Sequence, residues 1–227
     1  MISVIRDALI IAGKDIVSEL KSKQTVGMMV IFSILVIMIF SFAFDPVDRI
    51  IRNVIPGLIW VITIFSGILG LNRSFVSEFE NSCLSGLRLA PVDPVSIYLG
   101  KAAANFIYVS IVQLFSVPLL FILFDYKLKG SFIWLLAIIF VGTFGFIIIG
   151  TFLAGLAANA KNSEMLLPLL LLPLLSPLVI AAVQATRVVI ENESFGEAIS
   201  WIRLMAGYDL LFTAVCILLF EYILEDT

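Results

Sequence analysis

The stretch Asn72–Pro91, NRSFVSEFENSCLSGLRLAP, lies between two apolar runs that are each long enough to cross a bilayer. It is the longest polar interval of the chain, yet its pattern is not that of a loop. Phe75, Phe79, Cys83 and Leu87 recur every four residues, which places them on one side of a helix. The spacing predicts that Phe75 and Phe79 continue the preceding span and that Asn81-Ser82 turn the chain. Ser82 then caps a short surface helix from Cys83 to Leu89, which Pro91 stops. In such a helix Leu84, Leu87 and Leu89 bury, while Glu78, Glu80 and Arg88 offer charge to a partner.

Outward from this stretch the chain is apolar almost throughout. Of 227 residues, 61% are hydrophobic and 14% charged, against about a quarter charged in soluble domains. Six runs are long enough to span a membrane: Val26 to Phe44, Ile55 to Leu71, Ile97 to Phe124, Phe132 to Ala157, Met165 to Val183 and Ala206 to Leu224. The expected fold is an all-α polytopic membrane protein, a single transmembrane domain over residues 1–227. The third run is longer than a roughly 30 Å hydrocarbon core requires, so it tilts or projects from the membrane.

Before the first span, residues 1–23 place Ile5, Leu9, Ala12, Ile16 and Leu20 at steps of three or four, with charges between them. This predicts an amphipathic interfacial helix. The charges interrupt any signal-peptide core, and nothing in the segment looks cleavable. With the N-terminus inside, the inner side holds Arg6, Lys14, Lys21, Lys23, Arg73, Arg88, Lys101 and Lys161. The outer side holds Arg49, Arg52, Lys127, Lys129, Arg187 and Arg203. The excess favours both termini on the cytoplasmic side. On that side Asn159 to Glu164 is short, so residues 72–91 form the one sizeable cytoplasmic connection. Outside, Asp45 to Asn53 and Asp125 to Ser131 leave no room for a binding domain. Residues 187–203, with Phe195, Ile199 and Ile202 against Glu191, Glu193 and Glu197, read as a second amphipathic piece at the outer surface. Pro168, Pro173 and Pro177 each remove a backbone hydrogen bond from the fifth span, which predicts a kinked or dynamic helix.

The residues that could carry chemistry are few. The chain has no histidine, which removes the usual general base, zinc ligand and protein haem ligand. Cys83 and Cys216 read as small apolar residues rather than a disulfide. No phosphate-cradling G-x-x-x-x-G-K-[ST] occurs, so the chain does not hydrolyse ATP alone and is not expected to be an enzyme. There is no basic face for nucleic acid and no candidate metal site. Asp209 and Glu221 fall near the ends of the sixth span and read as interfacial anchors, and Lys101 reads as a snorkelling anchor. Gln113 and Gln184 either pair across helices or face a lumen. Small residues at Ser66 and Gly70, Gly142 and Gly145, and Gly150 and Ala154 allow close helix approach.

Taken together, Arg73-x-Phe75, Glu78, Leu84-x-x-Leu87-x-Leu89-x-Pro91 and Tyr98-x-x-Lys101 resemble the haem exporter protein B family, the membrane subunit of the bacterial cytochrome c maturation transporter. Pro56-Gly57-x-x-Trp60, Leu172-Pro173-x-x-x-Pro177 and Gly207-Tyr208-Asp209-x-Leu211-Phe212 resemble the family's second, fifth and last spans. The likeness covers nearly the whole chain. Departures fall at Ser82 and Leu84-Ser85, where the family usually shows a glycine and then Leu-Glu, and at Lys21 and Lys23, where arginine is common. The resemblance implies an ABC-type permease in a bacterial inner membrane, with residues 72–91 as a coupling segment for a cytoplasmic ATP-binding subunit. The docking residues would be Arg73, Phe75, Glu78, Glu80, Leu84, Leu87 and Arg88. It further implies other cytochrome c maturation proteins as partners and two permease bundles per complex. Haem would be a transported or handled ligand rather than a covalently bound cofactor. A permease for a lipid, drug or polysaccharide, and a non-transporting membrane scaffold, are the competing readings of the same spans.

Overall fold

The computed structural model describes residues 2–44, 49–80, 93–158, 163–193 and 195–225. They form seven helices: α1 (Ile2–Ser22), α2 (Gln24–Ala43), α3 (Arg49–Glu80), α4 (Pro94–Leu123), α5 (Phe132–Ala158), α6 (Ser163–Glu191) and α7 (Phe195–Glu225). Six of them, α2 to α7, are long and apolar enough to cross a membrane. The chain is thus an all-helical, multi-pass membrane protein.

Helix α3 is the centre of the bundle, packed against α2, α4, α5 and α6. Its Ile59, Trp60, Ile62, Thr63 and Ser66 are all buried. In lipid there is little hydrophobic drive to bring spans together, so close packing and interhelical hydrogen bonds hold the bundle. Trp60 Nε1 donates to Thr186 Oγ1 of α6 at 3.0 Å, and Gly142 of α5 faces the Trp60 ring where any Cβ would collide with it. Gln113 of α4 donates to Thr63 of α3 at 3.1 Å and to Thr143 of α5 at 2.8 Å. The glutamine therefore pairs across helices, joining three of them at one node.

Helix α1 packs mainly on α4. Ala8, Ile11 and Ala12 are buried there, while Ile5, Leu9, Ile10, Val17 and Leu20 are exposed. The two backbones come close at Gly100, where a Cβ would lie 2.7 Å from the Ala8 carbonyl oxygen. The elbow between α1 and α2 is made by Lys23, whose φ of 53° lies in the left-handed region. Its N–H closes the end of α1 on the Glu19 carbonyl at 2.7 Å. The Glu19 carboxylate in turn accepts from Val26 N at 2.8 Å, placing negative charge at the N-terminus of α2.

One expectation is corrected at the other end of the bundle. Residues 187–203 do not form a separate amphipathic piece: α6 runs on to Glu191 and α7 begins at Phe195. Ala185, Thr186, Val188, Val189 and Ile190 are buried against the bundle, so the polar spacing marks the wet edge of a long helix. Helix α6 stops at Asn192, which takes φ 59°. Asn192 N bonds Val189 O at 3.3 Å and Glu193 N bonds Val188 O at 2.9 Å, the paired closures of a Schellman end. Helix α6 includes Pro168, Pro173 and Pro177 within its length. Pro177 cannot donate to the carbonyl of Pro173, and Ser176 Oγ donates to that oxygen instead, at 2.9 Å.

Candidate functional site

The connection between α3 and α4 is framed by the two helices that lead into it. Helix α3 continues without interruption past the apolar span to Glu80, which carries it roughly 14 Å beyond Leu71 at about 1.5 Å per residue. Helix α4 starts at Pro94, with Asp93 as its cap accepting from Val95 N at 2.9 Å. Of the predicted docking residues, Arg73 is exposed and its guanidinium donates to Gln24 Oε1 of α2. Phe75, Glu78 and Glu80 lie on the helical end of α3, as the spacing predicts, and their side chains lie outside the described residues. Leu84, Leu87 and Arg88, with the predicted helix Cys83 to Leu89, also lie outside them.

What anchors this frame was only half visible in the sequence. Lys101 does not snorkel: it is 1% exposed. Its Nζ lies 3.4 Å from Asp15 Oδ2 of α1 and donates to the Ser74 carbonyl of α3 at 3.1 Å. One buried ammonium thus joins α1, α3 and α4 at the root of the α3–α4 connection. Lys14 also pairs with Asp15, at 3.1 Å. Removing one member of a buried pair costs about 3–5 kcal/mol because the other charge is left in a poor solvent. Sequence reasoning named Lys101 and missed Asp15. The available signal was a lysine several residues inside an apolar run, which calls for an acidic partner from another element.

Above this root, α1 to α4 enclose a polar cavity of about 200 Å³ lined by Asp15, Ser18, Glu19, Arg73 and Tyr108 among others. A larger cavity, about 520 Å³, lies between α4 and α5 and is almost wholly apolar. Gln113 and Thr143 stand at its polar edge, while Leu114, Phe132, Ile133 and Phe140 are open to the surroundings of the bundle.

Asp209 is the second correction. Because α7 runs from Phe195 to Glu225, Asp209 falls near its middle rather than near an end. It is 5% exposed, and its Oδ1 has no hydrogen-bond partner among the described residues. It rests against α5 at Gly145, where a Cβ would lie 1.9 Å from that oxygen. Glu221 is on the last turns of α7, with its side chain outside the described residues. No group of three or more metal-ligating side chains occurs among the described residues.

The sequence that builds these spans matches a known family over nearly its full length: the family model for the CcmB protein covers residues 6–222. The chain belongs to the CcmB family. Among similar relatives, heme exporter protein B of Rhodobacter capsulatus is 27% identical over 175 residues, covering 77% of this chain and 80% of that protein. Heme exporter protein B of Paracoccus denitrificans is 29% identical over 162 residues, 71% of this chain and 73% of its own. That of Pseudomonas aeruginosa is 25% identical over 187 residues, 82% and 83% respectively. CcmB membership carries an ABC-type partnership with an ATPase subunit, and the chain is a transporter membrane subunit without catalysis of its own.

Proposed function

We propose that this CcmB-family chain, the permease of a cytochrome c maturation system, receives its ATPase subunit on residues 72–91 and passes that subunit's closure into the bundle through α3 and α4. The observation that carries this reading is the continuity of α3 from the bundle centre to Glu80, rooted by Lys101 where it leaves the membrane. A continuous helix transmits a push along its axis, whereas a flexible loop would absorb it. Arg73, Phe75, Glu78 and Glu80 form the α3 side of the dock, and Leu84, Leu87 and Arg88 the side beyond it. Both termini face the cytoplasm, and the outer face serves haem delivery alongside other maturation proteins. Two bundles make one working unit.

With no histidine in the chain, axial ligation of haem would have to come from a neighbouring protein or from Met, Tyr or Cys, which favours an ATP-driven step that releases haem from a neighbour. Leu84→Asp and Leu87→Asp together place two charges on the buried side of the docking helix. The expected result is loss of the ATPase from the complex on co-purification in mild detergent, with the permease still monodisperse. Unchanged association and unchanged ATPase activity would remove residues 72–91 from the interface.

A further inference from the structure

We infer that the polar cavity enclosed by α1, α2, α3 and α4 binds the headgroup of a phospholipid carrying a primary ammonium, that is, a phosphatidylethanolamine, from the leaflet on which α1 lies. The inference takes from the proposed function only the reading of α1 as a helix at the membrane surface.

The cavity holds about 200 Å³, below the roughly 300–1,000 Å³ of sites that take drug-sized ligands. A porphyrin does not fit, but a compact charged headgroup does. Across it stand a carboxylate on α1, Glu19, and a guanidinium on α3, Arg73. Asp15 also lines it, but Lys101 and Lys14 already face that carboxylate. Glu19 accepts from Val26 N and Ser22 Oγ and Arg73 donates to Gln24 Oε1, and each keeps hydrogen-bonding capacity to spare, so a negative group on α1 and a positive group on α3 are the complement of a zwitterion.

The deep wall supplies an independent sign of a ligand. Tyr108 is 6% exposed, it lines the cavity, and its hydroxyl makes no hydrogen bond among the described residues. It lies seven residues further along α4 than Lys101, about 10 Å deeper by helical rise. The hydroxyl opens onto the cavity with its hydrogen-bonding capacity unfilled, so a donor or acceptor of a ligand seated there meets it. Ser18, Ser22 and Thr25 complete the wall with further oxygens.

These oxygens choose among headgroups. An ammonium with three N–H donors is satisfied by Glu19, Tyr108 and the hydroxyls, while its phosphate meets Arg73. A choline has no N–H to give and is held by a cage of aromatic rings, of which this cavity has one among the described residues, Tyr108. A purely anionic headgroup would meet Glu19 and Asp15. The acyl chains also have a path: from Gln24 at the cavity wall, Met28, Ile31 and Leu35 continue as an exposed apolar stripe down α2.

The experiment is native mass spectrometry of the full-length protein in mild detergent, titrated with phosphatidylethanolamine, phosphatidylcholine and phosphatidylglycerol of matched chains. The expected order places phosphatidylethanolamine about tenfold tighter than the other two, the worth of one charge-assisted hydrogen bond. Tyr108→Phe and Glu19→Gln should each remove that preference, and Arg73→Gln should weaken the ethanolamine and choline lipids alike. Tyr108→Phe keeps the ring, and Glu19→Gln keeps an acceptor for Val26, so either variant can decide the matter if the other fails to fold. Equal retention of all three lipids, or a preference that survives both variants, overturns the proposal. Soluble phosphoethanolamine is added as a separate arm; if it stabilises the protein while the lipid is not retained, the lipid assignment falls. No ATPase is present in this experiment, so its result and that of the docking test are read apart.

Discussion

At the scale of single residues, two buried charges define opposite situations. Lys101 is enclosed and paired, with Asp15 on one side and the Ser74 carbonyl on another. Lys101→Met leaves the Asp15 carboxylate with Lys14 alone and frees the Ser74 contact, so a loss of about 2–4 kcal/mol is expected, read as a lowered thermal midpoint in detergent. Asp15→Asn should cost less, about 1–2 kcal/mol, because the carboxamide oxygen still accepts from Lys101. Asp209 is enclosed without a partner for its Oδ1 among the described residues. A polar group in that position is not there for stability. Asp209→Ala is therefore expected to raise the unfolding midpoint, by about 1 kcal/mol of stability, while lowering the yield of mature cytochrome c in a complementation assay. A variant less stable than the parent would show that Asp209 is structural.

Among the elements, α3 and α1 carry the mechanism proposed above. If α3 acts as a rod from the bundle to the docking segment, its stiffness matters more than any one side chain on it. Inserting Gly-Gly between Leu71 and Asn72 weakens the helix by about 1 kcal/mol per glycine and breaks its axial continuity. The expected phenotype is an ATPase subunit that still binds and hydrolyses ATP, with cytochrome c maturation reduced at least about tenfold, a barrier change of about 1.4 kcal/mol. Helix α1 depends on close approach at Gly100, where a Cβ meets the Ala8 backbone. Gly100→Leu should lift α1 from α4 at a cost of about 1–3 kcal/mol. Spin labels on α1 and α4 would report it as a lengthened distance, with distances among α3, α5 and α6 unchanged.

The whole molecule is a bundle arranged around α3, with polar nodes where several helices meet. Gln113, Thr63 and Thr143 tie α3, α4 and α5, and Trp60 with Thr186 ties α3 to α6. Among the described residues, Lys101 is the lysine buried at such a node, and it lies at the root of the α3–α4 connection. A permease must pass motion from one end to the other without coming apart. Hydrogen-bonded nodes at the root of the α3–α4 connection and mid-bundle suit that requirement.

Spans and the projecting end of α3 were readable from residues alone, because hydropathy and helical spacing are properties of neighbours along the chain, and the family was readable through the resemblance of its short motifs. Bilayer-length apolar runs become helices whatever packs against them, since lipid leaves the backbone no other way to satisfy its N–H and C=O groups. What needed the tertiary structure was the fate of each polar side chain inside those runs. Lys101 read as an anchor because its partner Asp15 lies on a different helix, and Asp209 read as terminal because the break before α7 is set by Asn192 and not by hydropathy. The cavity holding Glu19, Arg73 and Tyr108 draws its walls from four helices, and no spacing along one of them announces it. Burial and pairing are decided by which faces meet, and only the folded bundle brings those faces together.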